Sequence, residues 1–290
     1  MMSGMLATFV RLPWLKAQRS FESLRVWPRL RAERPAVVDA AIGDLETEGV
    51  HVTHVEHLLG DAAPAFRAAL AQAAPLLHGA PDPRCWTARD ASIDLTPGAL
   101  LARLPDFYLA GLNARVLSLA EHYLRVPVAY HGAVLRRSFV NGHAAGPCLW
   151  HRDIEDLHVL RTVIYLTDVG PSDGPFEYIP RRERAARKGL RRAAPMRSDE
   201  EMRAVVPTER WKRVTGPAGT VVLADSAQVF HHQSPQRRTE RSVLMMGHSS
   251  RRPSGRALAL SHFPVGDVRA ALDRLVPPSQ RAHVFGWRAE

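Results

Sequence analysis

The chain has 290 residues, 46% of them hydrophobic and 23% charged, a composition that excludes a disordered chain and allows one large buried core. The apolar run Met5–Val10 is stopped by Arg11 and is too short for a signal-peptide core or a membrane helix, so we expect neither secretion nor a membrane span. The two cysteines, Cys85 and Cys148, are too few for a disulfide framework or a thiolate zinc site, so we expect a cytoplasmic protein.

The formal net charge is +10, and a strongly basic chain raises nucleic acid or an anionic surface as a partner. Much of this charge lies in residues 181–192, where seven Arg or Lys residues accompany a single acid, Glu183. A solvated basic loop explains such a cluster more simply than a polyanion site does. No interleaved aromatic residues or nucleic-acid motif accompany the cluster, so we do not expect nucleic acid as the partner.

The first part of the chain is predicted to be mainly helical. Residues 1–35 mix Arg, Pro and isolated Trp without a clean period, which indicates an irregular or partly helical arm. Residues 37–48 have a helical pattern that ends at Gly49, a residue typical of a helix stop. Thr53 and Glu56 have the spacing of a capping box. Apolar residues at three- and four-residue spacing predict two further helices, over residues 66–77 and 109–123.

From Val128 onward the pattern changes to short β-rich runs separated by turn residues, which predicts a sandwich or barrel. The predicted strands are residues 50–53, 128–140, 148–151, 159–169, 176–179, 220–223, 229–232 and 241–247. An insertion, residues 181–217, interrupts them, and Ser198 with Glu201 predicts a capped helix inside it. A last helix is predicted near residues 268–275.

His151 and Asp153 form the first half of a candidate metal site. In an extended chain, residues two apart point to the same face, so an imidazole and a carboxylate can approach one point while Arg152 turns away. A His-Xaa-Asp triplet alone is weak evidence, because a histidine at a strand end is more often a hydrogen-bonded structural residue.

A downstream strand supplies the missing ligand. It carries two adjacent histidines, His231 and His232, and neighbours on a strand face opposite ways, so only one of them can join the cluster. Two histidines and one carboxylate form a facial triad that leaves three positions of an octahedral metal open, an arrangement typical of iron(II) with a bidentate 2-oxoacid and dioxygen. Arg241, ten residues after His231, opens an apolar strand and has the planar fork that binds a distal carboxylate.

These residues resemble the phytanoyl-CoA dioxygenase family of iron(II)- and 2-oxoglutarate-dependent oxygenases. The resemblance rests on the motifs "WHRD", "VIYLTDVGPSDGPFEYIP" and "VFHHQSPQRRTERSVL" within residues 128–250. It implies His151, Asp153 and His231 as metal ligands and Arg241 as the residue that binds 2-oxoglutarate. The second histidine, His232, and "RRER" in place of Gly-Ser-His depart from the family's pattern.

The resemblance also implies the reaction, namely hydroxylation of a small organic molecule with O2 while 2-oxoglutarate is decarboxylated to succinate. The carboxylate of Asp153 disfavours halogenation, because halogenating members have a small residue there. The implied fold is mainly β with α additions, a double-stranded β-helix (jelly-roll, cupin-like) core with N-terminal packing helices. The corresponding organisation is an N-terminal arm, 1–35, and a single oxygenase domain, 36–290, divided into a helical part 36–127, the core 128–250 with insertion 181–217, and a tail 251–290.

Tyr130, Arg136 and Asn141 lie on or beside the strand that precedes the ligands and are candidate substrate contacts, although packing alone also explains them. Two other functions stay open: a metal-binding jelly roll without 2-oxoglutarate chemistry, and a nucleic-acid-directed oxygenase or binder. Arg241 distinguishes the first, and a steep salt dependence of binding to DNA or RNA would indicate the second.

Overall fold

The computed structural model describes residues 2–32, 36–89, 92–140, 146–183, 196–235, 238–262, 266 and 268–288. Within these residues, ten antiparallel strands form two sheets. The strands are β1 (Val50–His54), β2 (Trp86–Arg89), β3 (Ser92–Leu95), β4 (Val128–Ser138), β5 (Leu160–Tyr165), β6 (Phe176–Tyr178), β7 (Lys212–Val214), β8 (Thr220–Asp225), β9 (His231–Gln233) and β10 (Arg241–Ser250).

The larger sheet has the strand order β1-β8-β5-β10-β4-β3-β2, and the smaller sheet has the order β7-β6-β9. Side chains alternate between the two faces of the larger sheet. On one face, Ile164 and Leu244 pack against the helices, while on the other Val163 and Val243 pack against the smaller sheet at Phe176. This is the predicted double-stranded β-helix fold with packing helices, and among the described residues the two sheets do not close into a barrel.

Most of the helices pack on one face of the larger sheet. They are α1 (Met2–Ala32), α2 (Ala36–Thr47), α3 (Val55–Leu59), α4 (Ala63–His78), α5 (Pro97–Arg103), α6 (Pro105–Leu109), α7 (Ala114–Leu124), α8 (Asp199–Arg203), α9 (Arg256–His262), α10 (Arg269–Leu275) and α11 (Arg281–Val284). None of the helices in the described part of the chain combines the length and the apolar character needed to cross a membrane.

The N-terminal arm is more regular than its composition predicts. It is helical over Met2–Ala32 although Pro13 and Pro28 lie inside the helix. Tertiary contacts compensate for the helix hydrogen bonds that proline removes. Arg19 forms an ion pair with the buried Asp156 at 3.1 Å, and the carbonyl of Leu30 accepts a hydrogen bond from the buried His122.

Two predicted local features are wrong. The capping box of Thr53 and Glu56 does not form, because α3 begins one residue later, after His54, without a side-chain cap. The single helix predicted over residues 109–123 is divided at Asn113, whose side chain accepts a hydrogen bond from the backbone of Arg115 and caps α7. The helix stop at Gly49 and the capping box of Ser198 with Glu201 are confirmed.

The predicted strand 148–151 is also wrong in detail, since residues 146–148 form a 3-10 turn and only single bridges follow it. The hairpin of β2 and β3 was not predicted, because these two four-residue strands have no strong alternation of apolar and polar residues. The insertion 181–217 lies outside the described residues over 184–195, and its final part supplies α8 and β7.

Candidate metal centre

Backbone pairing brings the two ends of the candidate site together. His151 and His231 form an isolated antiparallel bridge, in which each backbone N–H donates to the other residue's carbonyl at 3.0 Å. The N–H of Asp153 donates to the carbonyl of Ser226 at 2.9 Å. Residues that are 80 positions apart in the chain therefore present their side chains to one point between the two sheets.

The three side chains form a compact cluster. The ligand atoms of His151, Asp153 and His231 all lie within 4.8 Å of one another, and each histidine Nε2 is 3.9 Å from Asp153 Oδ1. The His151 Nδ1 lies 2.7 Å from the carbonyl of Leu149, and the His231 Nδ1 lies 3.2 Å from that of Val229. A proton held on Nδ1 leaves the Nε2 lone pair free, which is the arrangement that metal-binding histidines require.

His232 faces the other way. Its ring stacks on Trp150 with centroids 3.9 Å apart, its Nδ1 lies 2.9 Å from the carbonyl of Cys148, and its Nε2 lies 3.0 Å from Glu177 Oε2. Both ring nitrogens are thus engaged by protein groups. Of the two adjacent histidines, the cluster contains His231.

Burial and a neighbouring cation set the protonation of two members of the cluster, His231 and Asp153. Burial, followed by the nearby His151, lowers the pKa of His231 to about 4, so its imidazole is neutral at neutral pH. Burial alone would raise the pKa of Asp153, but the positive charge of the adjacent Arg161 outweighs it, and the pKa lies below its ordinary range. The site therefore offers the neutral imidazole of His231 and the carboxylate of Asp153 beside the ring of His151.

Arg161 on β5 contacts the cluster and was not predicted from the sequence. Its Nε and Nη2 donate to Asp153 Oδ2 at 3.1 and 2.5 Å, and Nη2 also donates to Glu155 Oε1 at 2.9 Å. The one available signal was a lone arginine inside the otherwise apolar strand "VLRTVIYL". A cation in such a strand needs a buried partner.

Arg241 begins β10 and is only 4% exposed. Its Nη1 donates to the carbonyl of Gly174 and its Nη2 donates to Gln233 Oε1. Within the described part of the chain its Nε has no hydrogen-bond partner, and no carboxylate forms an ion pair with it. Burial lowers the pKa of Arg241 to about 10, so the guanidinium is charged at neutral pH. It is a buried cation with a donor available for an anion.

Gln233 connects Arg241 to the cluster. It lies two residues after His231 on β9, so the two side chains share one face of the strand. Two residues of a strand span about 6.6 Å. Arg241 therefore lies near one end of this short strand and the His-Asp-His cluster lies near the other.

The structure does not bring the three candidate substrate contacts to the cluster as a group. Tyr130 is fully buried in the core under the helices, where its hydroxyl donates to the carbonyl of Tyr108 at 2.8 Å. Arg136 forms a two-point ion pair with Asp94 at 2.6 and 2.8 Å. Asn141 lies outside the described residues.

No family model and no curated protein matches the chain. Solved structures do match. The epimerase SnoN in complex with Fe3+, alpha ketoglutarate and nogalamycin RO is 14% identical, with a TM-score of 0.51 over 76% of this chain and 86% of SnoN. EctD from S. alaskensis in its apoform is 20% identical, with a TM-score of 0.50 over 73% of this chain and 78% of EctD.

The non-heme alpha ketoglutarate dependent carbocyclase SnoK from nogalamycin biosynthesis is 17% identical, with a TM-score of 0.50 over 77% of this chain and 87% of SnoK. At these identities the likeness concerns the fold. The chain shares with these structures the double-stranded β-helix that the antiparallel topology describes.

Proposed function

We propose that the chain is an iron(II)- and 2-oxoglutarate-dependent dioxygenase that hydroxylates a small organic molecule. In this proposal His151, Asp153 and His231 bind the metal, and Arg241 binds the distal carboxylate of 2-oxoglutarate. The observation that carries it is the cluster of two histidine Nε2 atoms around one oxygen of Asp153, on a fold shared with alpha ketoglutarate dependent enzymes.

The donor set fits iron(II). Two imidazoles and a carboxylate on one side of the metal are the ligands of non-haem iron oxygenases, whereas a structural zinc site needs four protein ligands. The hydrogen bonds from each histidine Nδ1 to a backbone carbonyl orient the rings toward a common point. A cluster with three protein ligands leaves positions open for a cosubstrate.

The surroundings of Arg241 fit a dicarboxylate. A five-carbon diacid that binds a metal through one end has a length comparable to the two-residue step of about 6.6 Å from His231 to Gln233, which contacts Arg241. The Nε of Arg241 is buried without a hydrogen-bond partner among the described residues, and a carboxylate would satisfy it.

Iron(II) together with 2-oxoglutarate and dioxygen would supply the oxidising power, with 2-oxoglutarate converted to succinate and carbon dioxide as the substrate gains a hydroxyl group. The protein's own residues keep His231 neutral and Asp153 ionised, anchor the cosubstrate through Arg241, and exclude water. Phe176 contributes to this exclusion, because its ring stacks on that of His231 with centroids 5.4 Å apart.

The substrate is proposed to be a small molecule. Nogalamycin RO, the compound in the SnoN complex, is one, and we extend this class of substrate to the present chain as part of the proposal. The outcome of the reaction is also proposed, because the matching structures include an epimerase and a carbocyclase. Membership of the phytanoyl-CoA dioxygenase family, which the motifs resemble, belongs to the same proposal.

The test is anaerobic addition of iron(II) and 2-oxoglutarate, followed by the visible charge-transfer band of an iron-bound 2-oxoacid. We expect the band in the wild type and in His232→Gln, and we expect it to be absent in His151→Gln and His231→Gln. His232→Gln is the matched control, because it makes the same substitution at the adjacent position. A folded, iron-loaded wild type without the band would leave a metal-binding jelly roll, and a band in both ligand variants would contradict the ligand assignment.

A further inference from the structure

We infer that Arg161 is a positioning residue of the metal centre, which holds Asp153 so that it offers the metal one oxygen only. The inference rests on the proposed function, since it concerns the carboxylate of the proposed ligand set. It assigns a role to a residue that the sequence analysis did not identify.

The two oxygens of Asp153 have different partners. Oδ1 faces the Nε2 atoms of both histidines at 3.9 Å. Oδ2 accepts two hydrogen bonds from Arg161, at 3.1 and 2.5 Å. Two donors on the same oxygen restrict rotation of the carboxylate, and the other oxygen is the one that faces the histidines.

Arg161 is itself held in place. Its Nη2 also donates to Glu155 Oε1 at 2.9 Å, and only 12% of the Arg161 side chain and 2% of that of Glu155 are exposed. The backbone of Glu155 is also held, because its carbonyl accepts a hydrogen bond from the N–H of Gly255 at 2.7 Å. The guanidinium therefore links Asp153 to a rigid part of the fold.

Gly247 supplies the space that the guanidinium occupies. It lies directly opposite Arg161 in the β5–β10 pair, and a Cβ at this position would be 2.8 Å from Arg161 Nη1. Gly247 is not among the glycines with positive φ, so its backbone conformation is open to alanine. An added Cβ would also lie 3.0 Å from Nδ1 of the buried His131, so a side chain at position 247 would press first on the guanidinium and then on this ring.

The chemical consequence is the number of open positions. A carboxylate that is free to rotate can bind a metal through both oxygens and fill a position that a bidentate cosubstrate needs, or it can turn away from the metal. With Oδ2 bound to Arg161, Asp153 is a ligand through Oδ1 alone. Three positions then stay open for the 2-oxoacid and dioxygen.

Arg137 provides a matched control for the alternative that Arg161 only stabilises the fold. It lies on β4, which β10 separates from the strand of Arg161, its side chain is 8% exposed, and its Nε donates to Glu240 Oε2 at 2.7 Å. Glu240 is not part of the His-Asp-His cluster. Both arginines are mostly buried and carboxylate-bound, and only Arg161 contacts a proposed ligand.

The experiment measures binding of Co(II) to the metal-free protein by calorimetry, together with the visible absorption of bound Co(II), whose intensity reports the coordination number. We expect Arg161→Gln to weaken Co(II) binding by roughly 10- to 100-fold and to change the intensity of the absorption, as loss of a residue that orients a metal ligand does. We expect Arg137→Gln to bind Co(II) with wild-type affinity and an unchanged spectrum. Arg161→Lys should lie between Arg161→Gln and the wild type, because an ammonium restores charge but not the two-point contact.

Gly247→Ala is the second variant, and it keeps every ligand and Arg161 itself. We expect it to weaken Co(II) binding in the same direction, and the double variant with Arg161→Gln to bind no more weakly than Arg161→Gln alone, since both act on one contact. Wild-type affinity and spectrum in either folded variant, Arg161→Gln or Gly247→Ala, would overturn the inference. A wild type that binds no Co(II) would overturn the proposed function as well, which separates the two failures.

Discussion

The amide oxygen of Gln233 accepts a hydrogen bond from the guanidinium of the buried Arg241. Because Gln233 and His231 share one face of β9, this contact fixes the distance between the proposed metal ligand and the proposed carboxylate site. Two residues of one strand, His231 and Gln233, thus set the distance that the proposed cosubstrate would span. A shift of the strand by one residue would misplace both ends together.

Replacing Arg241 should separate cosubstrate binding from metal binding. We expect Arg241→Met to weaken 2-oxoglutarate binding by roughly 10- to 100-fold, because the charged donor available to the distal carboxylate is lost, and Arg241→Lys to lose less. The measurement is a 2-oxoglutarate titration of the iron charge-transfer band under nitrogen. Arg137→Met is the control for loss of a buried arginine, and an unchanged 2-oxoglutarate affinity in Arg241→Met would contradict the assignment.

Replacing His232 should lower the stability of the fold, whereas replacing His231 should abolish metal binding. His232→Ala removes a ring stacked on Trp150 and leaves the buried Glu177 without one of its donors, so we expect the free energy of unfolding to fall by about 2–4 kcal/mol. Binding of one Co(II) should survive. His231→Ala should abolish Co(II) binding. Urea denaturation of the metal-free variants and calorimetry with Co(II) check both, and a reversed pattern would make His232 the ligand.

The sequence predicted the cluster because strand alternation places His151 and Asp153 on one side. It did not decide whether His231 or His232 joins them, because alternation places the two histidines on opposite faces without showing which face is the interior. Contacts with Trp150 and Glu177, from other parts of the chain, direct His232 away from the cluster. Such contacts between distant segments have no local pattern.

The contacts of Arg161 and Gln233 at the site were not predicted from the sequence for the same reason. Each has its role only through a partner eight residues away along the chain, Asp153 for Arg161 and Arg241 for Gln233, across a turn whose path the sequence does not specify. The overall fold was easier to predict, because alternation and turn residues recur along the whole second half of the chain. Residues 2–32 were predicted to be irregular or partly helical, and the structure has a continuous helix there.

A side chain at position 49 should destabilise the fold. Gly49 has φ of 81°, and an added Cβ would lie 2.3 Å from Cγ1 of Val229, two residues before His231. We therefore expect Gly49→Ala to lower the free energy of unfolding by about 1–3 kcal/mol. Gly43→Ala is the control: Gly43 lies in α2 with nothing within 4 Å of an added Cβ, so this change should stabilise by about 0.5–1 kcal/mol. Equal effects of the two changes in urea denaturation would contradict this account.

The pH dependence of stability should depend on His231. Burial lowers its pKa in the folded chain to about 4, from 6.5 as a reference for the unfolded chain. At a pH between about 4 and 6.5 the unfolded chain binds more protons at His231 than the folded chain does. The free energy of unfolding is therefore unaffected by this residue above pH 6.5 and decreases as the pH falls toward 4. The loss from this group amounts to on the order of 2 kcal/mol at pH 5.

Urea denaturation of the metal-free protein at pH 7.5 and pH 5 tests this effect. Glutamine does not titrate, so between pH 7.5 and pH 5 we expect the free energy of unfolding of His231→Gln to fall less than that of the wild type, by on the order of 2 kcal/mol. His57→Gln, at an exposed histidine, is the control for the substitution itself. Burial also lowers the pKa of His248 to about 4, so some acid sensitivity should remain in His231→Gln, whereas parallel losses in wild type and variant would exclude His231 as its source.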